Sequence, residues 1–526
     1  MVSCIISTYI TARSAARFTM HRQLPIISSR TVSTSMATSS FRHDVMPFDK
    51  ARDAPTDSCK VARQLLEAIP DLKLYTRSSP GYEFLRGVYN KLITAKPLVI
   101  CRPTSISQTQ AIVKTASGLN VPVGVRCGGH DVFGRGCIAD SVTIDMRELD
   151  SLELSDDKTT VVAGGGITSK NLVGFLGSHD LCTSNGLAGE AGWTSWASWG
   201  GYGPLGDYVG LGVDNIIGGK IITANGDLVE AEGELLWALR GAGGNFGIIA
   251  ETTVQVYPMS KIQAGFIVYE WSETSSVLQR LQTLLDAGVP DKLCVQAGFS
   301  KGEWGLGMAL TYIWPDAETI ATEGSEWLQK LKGLGSVVVD TIEESKSAAT
   351  ALGVEPRELT ANLCVATFRD FQKTVSSEIS EPVNVTSRHT SITKFSDKTL
   401  AVLIDACEAM PDQASCTISA SILHGKAARP NPASSFGTRQ PHIMFHINAI
   451  TEDAAAEQIG VAWVDHLVDA LGSTDESVGP TYVSFMESAR DAETCYGSNW
   501  DRLRAVKKSV DPRDVFRHCH GRLPVE

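Results

Sequence analysis

One short stretch constrains this chain more than any other. Val121-Pro122-Val123-Gly124-Val125 alternates in a way that predicts a strand. It runs directly into Arg126-Cys127-Gly128-Gly129-His130-Asp131. Adjacent glycines let backbone approach a ligand closely, and consecutive free N–H groups form a nest for phosphate oxygens. A histidine at the tip of such a loop can reach whatever the phosphates carry. The spacing is not the G-x-G-x-x-G dinucleotide fingerprint. Taken alone, the same hexapeptide also suits a tight surface turn with a solvated histidine. The residues downstream decide between the two.

Glycine is the composition signal that matters: 47 residues, crowded between positions 124 and 247. Such density fits backbone wrapped around a ligand better than a helical bundle. At about 100–200 residues per domain, a chain of 526 residues holds several domains with substantial cores. The net charge of −12 provides no global basic footprint for nucleic acid. Twelve cysteines without a C-x-x-C pair indicate neither a zinc site nor a disulfide scaffold, so no metal is expected. The single sequon read here, Asn384-Val385-Thr386, carries weight only if the chain is secreted. Residues 1–43 lack Asp and Glu and carry Arg13, Arg17, Arg22, Arg30 and Arg42 among many Ser and Thr. That composition is either transit-like or a disordered leader, with Met36 as an alternative start. It points to a cytoplasmic or mitochondrial, intracellular protein. No apolar run reaches the roughly 18 residues of a membrane span.

Folding is expected from residue 58. Cys59–Ile69 reads as a short amphipathic helix, followed by a strand at Pro97–Cys101. A helix to Leu119 follows, capped by Ser105 or Ser107. Ser141–Asp145 and Thr159–Ala163 are further strands, and Ser169–Ser178 is helical. Gly186 to Trp193 and Gly200 to Gly206 form the densest glycine segment. Trp193, Trp196 and Trp199 stand three apart, a spacing of core packing more than of a ligand cage. Lys220–Thr223, the Asn225-Gly226 turn and Leu228-Val229 form a hairpin. Leu235 to Ile248 reads as helix, glycine-rich loop, strand.

Taken together, several motifs occur in a specific order. They are Pro103-Thr104 before a helix, Arg126 to Asp131, Gly200-Gly201-Tyr202-Gly203, Asp214-Asn215 and Arg240-Gly241-Ala242-Gly243-Gly244-Asn245-Phe246-Gly247. With the tail segments Tyr496–Leu503 and Asp511–Phe516, they resemble the berberine-bridge-enzyme-like FAD-linked oxidoreductases of the vanillyl-alcohol-oxidase superfamily, including fungal secondary-metabolism members. The resemblance implies an α+β fold: a PCMH-type FAD-binding domain of two α/β subdomains, plus a substrate domain with an antiparallel sheet covered by helices. It implies that Arg126, Cys127, Gly128, Gly129, His130 and Asp131 wrap the FAD diphosphate, and that His130 bonds covalently to the flavin 8α-methyl. Asn245, Phe246, Gly247 and Ile249 would follow the adenosine or ribityl part. Gly186, Gly192 and Gly201 would pass close to the isoalloxazine or its chain, and Tyr496 and Asn499 would close over it. Bicovalent members carry a cysteine just before the second glycine pair. Aligned on Gly200-Gly201, this chain has Trp193, and no cysteine occurs between Cys182 and Cys294. One covalent link is therefore expected, with Trp193 shielding the flavin's dimethylbenzene edge.

Beyond Pro258 the pattern changes to strands punctuated by helices without a phosphate loop, which predicts an antiparallel sheet with helices on one face. Period two places His442, Met444, His446 and Asn448 on one face of their strand, and Ser415, Thr417, Ser419 and Ser421 on one face of another. That polar face meets either solvent or a pocket over the flavin. In a pocket, His446 is the candidate base and Asn448 an orienting donor. Tyr482, on an expected strand Thr481–Phe485, is the other candidate. The expected organisation is a leader over 1–57, an FAD domain over 58–258, a substrate domain over 259–474, and a closing segment over 475–526 that returns to the FAD domain. The resemblance implies hydride transfer from a small organic substrate to flavin N5, with dioxygen as acceptor. A flavin-dependent cyclase and a flavin-binding protein without turnover are the rival readings.

Overall fold

The computed structural model describes residues 57–302, 305–342, 382–486 and 490–525. The expected leader lies outside these residues. The described chain builds three principal sheets and one small strand pair.

The first sheet orders Lys73–Thr76, Val99–Arg102, Val142–Asp145 and Val123–Arg126. Its last three strands are parallel, so a crossover must join Val99–Arg102 to Val123–Arg126. Helix Ile106–Gly118 provides it, and Ser105 caps that helix by accepting from the Gln108 N–H. The second sheet is antiparallel: Leu152–Leu154, Thr160–Gly164, Ile248–Gln255, Ile216–Ile222 and Leu228–Glu230. Ile112, Val113 and Ile144 from around the first sheet pack with Ile222 and Ile248 from the second, so both share one apolar core. This shared core fixes the end of strand Val123–Arg126, and with it the glycine loop.

The third sheet has eight antiparallel strands. Its order is Val337–Asp340, Gln263–Tyr269, Gly305–Trp314, Cys294–Gly302, Ser415–Leu423, His442–Thr451, Asn384–Ile392 and Ser477–Gly479. Period-two alternation splits it. Phe299, Leu310, Ile418, Phe445 and Ile447 pack with Leu278, Leu328, Leu403 and Leu467 from the covering helices. The opposite face carries the polar residues.

Two elements differ from the sequence reading. Thr481–Phe485 is not a strand: Val483–Phe485 forms a single 3₁₀ turn after Tyr482. The segment's aromatic side chains pack beneath the sheet, and that packing overrides the β propensity of Tyr-Val-Ser-Phe. Conversely, Asn384–Ile392 is a full internal strand, and it opens with the sequon residue Asn384 paired to Thr451. Val385, Ser387, His389 and Ser391 stand on the same sheet face as Met444, His446 and Asn448. A strand with polar residues pointing inward gives no apolar stripe to recognise.

The Tyr89–Lys91 segment ties the loop to this sheet. The Tyr89 N–H donates to the Gly129 carbonyl at 2.9 Å, and the Tyr89 carbonyl accepts from the Val383 N–H at 2.9 Å. The Asn90 side chain donates to the Val132 and Val385 carbonyls at 2.7 and 3.0 Å. No helix among the described residues is long and apolar enough to cross a membrane.

Candidate active site

The loop Gly128–Asp131 follows the end of strand Val123–Arg126 and turns where side chains have no space. A Cβ on Gly128 would lie 1.9 Å from the Glu190 carbonyl oxygen, and one on Gly192 would lie 2.3 Å from the Cys127 Sγ. Gly129 sits at φ 77°, where a side chain is strained. The two backbones, 127–129 and 190–192, therefore press directly on each other. Arg126 is buried and donates to the Leu85 carbonyl. Burial, reinforced by Arg147, pulls its guanidinium down to about 10. Cys127 donates to the Ile167 carbonyl, and burial pushes its thiol up to about 12, so it is an inert packing residue. Asp131 is held at about 2: burial opposes its ionisation, and His520 and Arg135 outweigh that. Arg135 completes a clamp from Asp131 to the Ser484 and Met486 carbonyls.

This loop forms one wall of a cavity of about 450 Å³. His130 faces into it, stacked on Tyr89 with ring centroids 4.3 Å apart. The His130 Nε2 is buried without a hydrogen-bond partner. Burial pulls this imidazole down to about 4, with Glu190 opposing, so it is neutral near pH 7. A second cavity of about 110 Å³ adjoins it, lined in part by Gly247, Ile249, Phe516 and His520. Val125, Cys127, Ser195 and His520 border both spaces. The combined shape is a broad chamber leading to a narrow one, with the glycine loop at the neck.

The eight-stranded sheet supplies the facing wall. Ser415, Thr417, Ser419, Ser421, Met444, His446 and Asn448 all line the larger cavity. The polar face therefore meets a pocket. His446 Nε2 lies 2.7 Å from the Ser387 Oγ, and its ring stacks on Phe485 at 3.9 Å and 10°. Burial, and then His389, pull it down to about 3. Tyr482 also lines the cavity, and burial holds its phenol well above the ordinary value. His442 is turned away: its Nδ1 donates to the Gln440 carbonyl, so its Nε2 accepts from the Tyr202 hydroxyl at 2.9 Å. A carbonyl can only accept, which settles that tautomer.

Several expected site residues stand behind the wall rather than on it. Asn245 is a structural clip. Its side chain donates to the Ala242 and Gly521 carbonyls and accepts from the Leu523 N–H, while Lys507 donates to its carbonyl. Phe246 is fully buried in the core. The Tyr496 hydroxyl donates to the Gly521 carbonyl, and Asn499 donates to the Ser435 carbonyl. The tail residue on the cavity wall is instead His520. Gly186 lines the cavity beside the Trp196 indole, and Gly201 packs on Gly212 behind it. Trp193 does not shield the chamber: it is buried in the core and donates to the Ser184 carbonyl, while Trp196, one helical turn on, faces the cavity. Tyr89, Ser387 and His520 escaped the sequence reading, and Trp196, read there as core packing, faces the cavity. Only His520 left a signal, as a second histidine beside His518 in the closing segment.

The donor set fits FAD. An unpartnered imidazole nitrogen faces the broad chamber, a buried Arg126 Nε and a His520 Nδ1 are likewise unpartnered at the neck, and glycine backbone forms the waist. Among the described residues no cluster of His, Cys, Asp or Glu could hold a metal ion. Fold and site together define a PCMH-type flavoprotein. Residues 97–232 match the FAD binding domain family, and residues 481–521 match the berberine and berberine-like family. The chain is 66% identical over 510 residues to the FAD-linked oxidoreductase aurO of Gibberella zeae, covering 97% of both chains. Among solved structures it matches xylooligosaccharide oxidase from Myceliophthora thermophila in complex with xylobiose, with a TM-score of 0.74 and 20% identity over 89% of this chain and 99% of that one. It also matches a glucooligosaccharide oxidase of Acremonium strictum described as having a novel flavinylation, with a TM-score of 0.73 and 17% identity over 89% and 98%. The chain belongs to the berberine-bridge-enzyme-like FAD-linked oxidoreductases, and it is an enzyme of that class.

Proposed function

We propose that the protein is an oxidase for a small organic, secondary-metabolite substrate, with FAD attached covalently through His130 alone. The observation that carries this is the buried, unpartnered His130 Nε2 facing a chamber bounded by glycine backbone. In this reading residues 58–258 and 475–526 hold the cofactor and 259–474 cover the substrate. Arg126 to Asp131 would surround the diphosphate, with Gly247 and Ile249 along the narrow chamber. Cys127 is the one cysteine on the larger cavity's wall among the described residues, and its thiol is spent on packing, which supports a single covalent link.

Bound FAD would supply a two-electron acceptor for a hydride, which dioxygen could reoxidise. The protein's part is to hold the substrate and move a proton. His446 faces the cavity and is oriented by Ser387 and Phe485, so it would be the group that takes the substrate hydroxyl proton. Asn448 orients the substrate from the same face. Tyr482, held protonated, serves as a hydrogen-bond donor rather than the base.

Acid precipitation of purified protein tests the attachment. The wild-type pellet is expected to stay yellow and the His130→Ala pellet to turn white. A white wild-type pellet would reject covalency. Oxygen uptake and peroxide formation with substrate would support dioxygen as acceptor, and their absence during flavin reduction would reject it.

A further inference from the structure

Four hydroxyls stand in a row on the sheet wall: Ser415, Thr417, Ser419 and Ser421 all open onto the larger cavity. Alternate residues of one strand share a face about 7 Å apart. The strand register sets Ser419 opposite His446 and Thr417 opposite Asn448. On the other side of Ser419 lies Gly298, so room opens beside the Ser419–His446 pair. Among the described residues, none of these four hydroxyls and neither end of the Asn448 amide makes a side-chain hydrogen bond. Neighbouring hydroxyls are committed: Ser387 to His446, and Ser391 to Thr481. Polar groups that face a cavity with unspent bonding capacity are available for recognition. The rings of Tyr202, Tyr482 and Phe485 line the same cavity, with Phe485 stacked on His446. The charged side chains on this cavity's wall, among the described residues, are Arg126 and Asp131, both at the glycine loop and neither on the eight-stranded sheet.

We infer that this wall binds an uncharged, flat aromatic substrate bearing several hydroxyl or carbonyl oxygens, one of them held by Ser419 in front of His446. The inference rests on the oxidase reading above and gives its substrate a chemical class. Rigid oxygens several ångströms apart match the fixed spacing of the row, and a planar ring system can stack on the aromatic side chains that line the same cavity. An anion placed against the sheet wall loses its hydration with no cation on that wall to replace it.

The test is anaerobic titration of the purified holoenzyme, followed by the perturbed absorbance of its flavin. The probes are a naphthalenediol, the matching hydroxynaphthoate and xylobiose. The diol is expected to bind, the carboxylate about tenfold or more weakly, and xylobiose not at the same concentration. Thr417→Val and Ser419→Ala are each expected to weaken diol binding about three- to tenfold with flavin content unchanged. Equal binding of the carboxylate, preference for xylobiose, or unchanged diol affinity in both variants would each overturn the inference. A colourless protein would sink the oxidase reading as well, whereas a yellow protein that binds the acid as tightly as the diol sinks this inference alone.

Discussion

The two walls of the chamber are built on opposite plans. The loop wall works by leaving side chains out: Gly128, Gly129 and Gly192 bring main chain against main chain with no volume to spare. The sheet wall works by choosing side chains: alternate residues from Ser415 to Ser421 and from Met444 to Ile450 line the cavity. A fixed ligand can be met by backbone, whose chemistry is common to all residues. A particular ligand must be met by side chains. The loop should therefore tolerate almost no substitution, and the sheet face should tolerate many while changing what the enzyme accepts.

The sharpest way to break this contrast is Gly128→Ala. Its Cβ would overlap the Glu190 carbonyl, so backbone must move, at an expected cost of about 4 kcal/mol or more. Thermal unfolding and flavin content should fall together, and a stable yellow variant would refute the account. Next is His446→Gln, on the other wall. It should keep flavin content and melting temperature while kcat falls about 10²–10⁴-fold. Loss of the flavin instead would mean that His446 serves the cofactor.

A third prediction concerns the buried histidines. Burial is the leading cause that holds His442 at about 4, and His446 and His520 at about 3, against an ordinary 6.5. The unfolded chain takes up protons below about pH 6.5 that the native state refuses. Stability is therefore full above that pH and falls as pH drops towards 4. Urea midpoints at pH 7.5 and pH 5 check the sign, and equal midpoints would contradict it. The smallest effect belongs to Thr417→Val, where an unbonded hydroxyl becomes a methyl. Stability should change by no more than about 0.5 kcal/mol, so any functional change reports recognition alone.

The same contrast explains what was legible in the sequence. The loop wall was readable because glycine at fixed spacing leaves a literal mark: Gly128, Gly129 and His130 fall on the chamber wall. The hydroxyl row was visible as period-two alternation on Ser415–Leu423, but alternation does not say whether solvent or a pocket lies in front. Strand Asn384–Ile392 was invisible because its inward residues are polar, and with it went Ser387, the partner of His446. The glycine-rich turn after Arg240 misled in a different way. Asn245 and Phe246 sit beside Gly247, yet their side chains hold the fold together rather than face the chamber. Proximity along the chain to a wall residue does not decide which way a side chain points.

The Asn245 clip also has a consequence in time. Its side-chain oxygen accepts from the Leu523 N–H, 278 residues later, and the Lys507 ammonium reaches its carbonyl from 262 residues away. Ribosomes add about 5–20 residues per second. Tens of seconds therefore separate the emergence of the glycine loop from the arrival of Phe516 and His520, which complete the neck. Until then the wall that Phe516 and His520 contribute is missing from the narrow chamber.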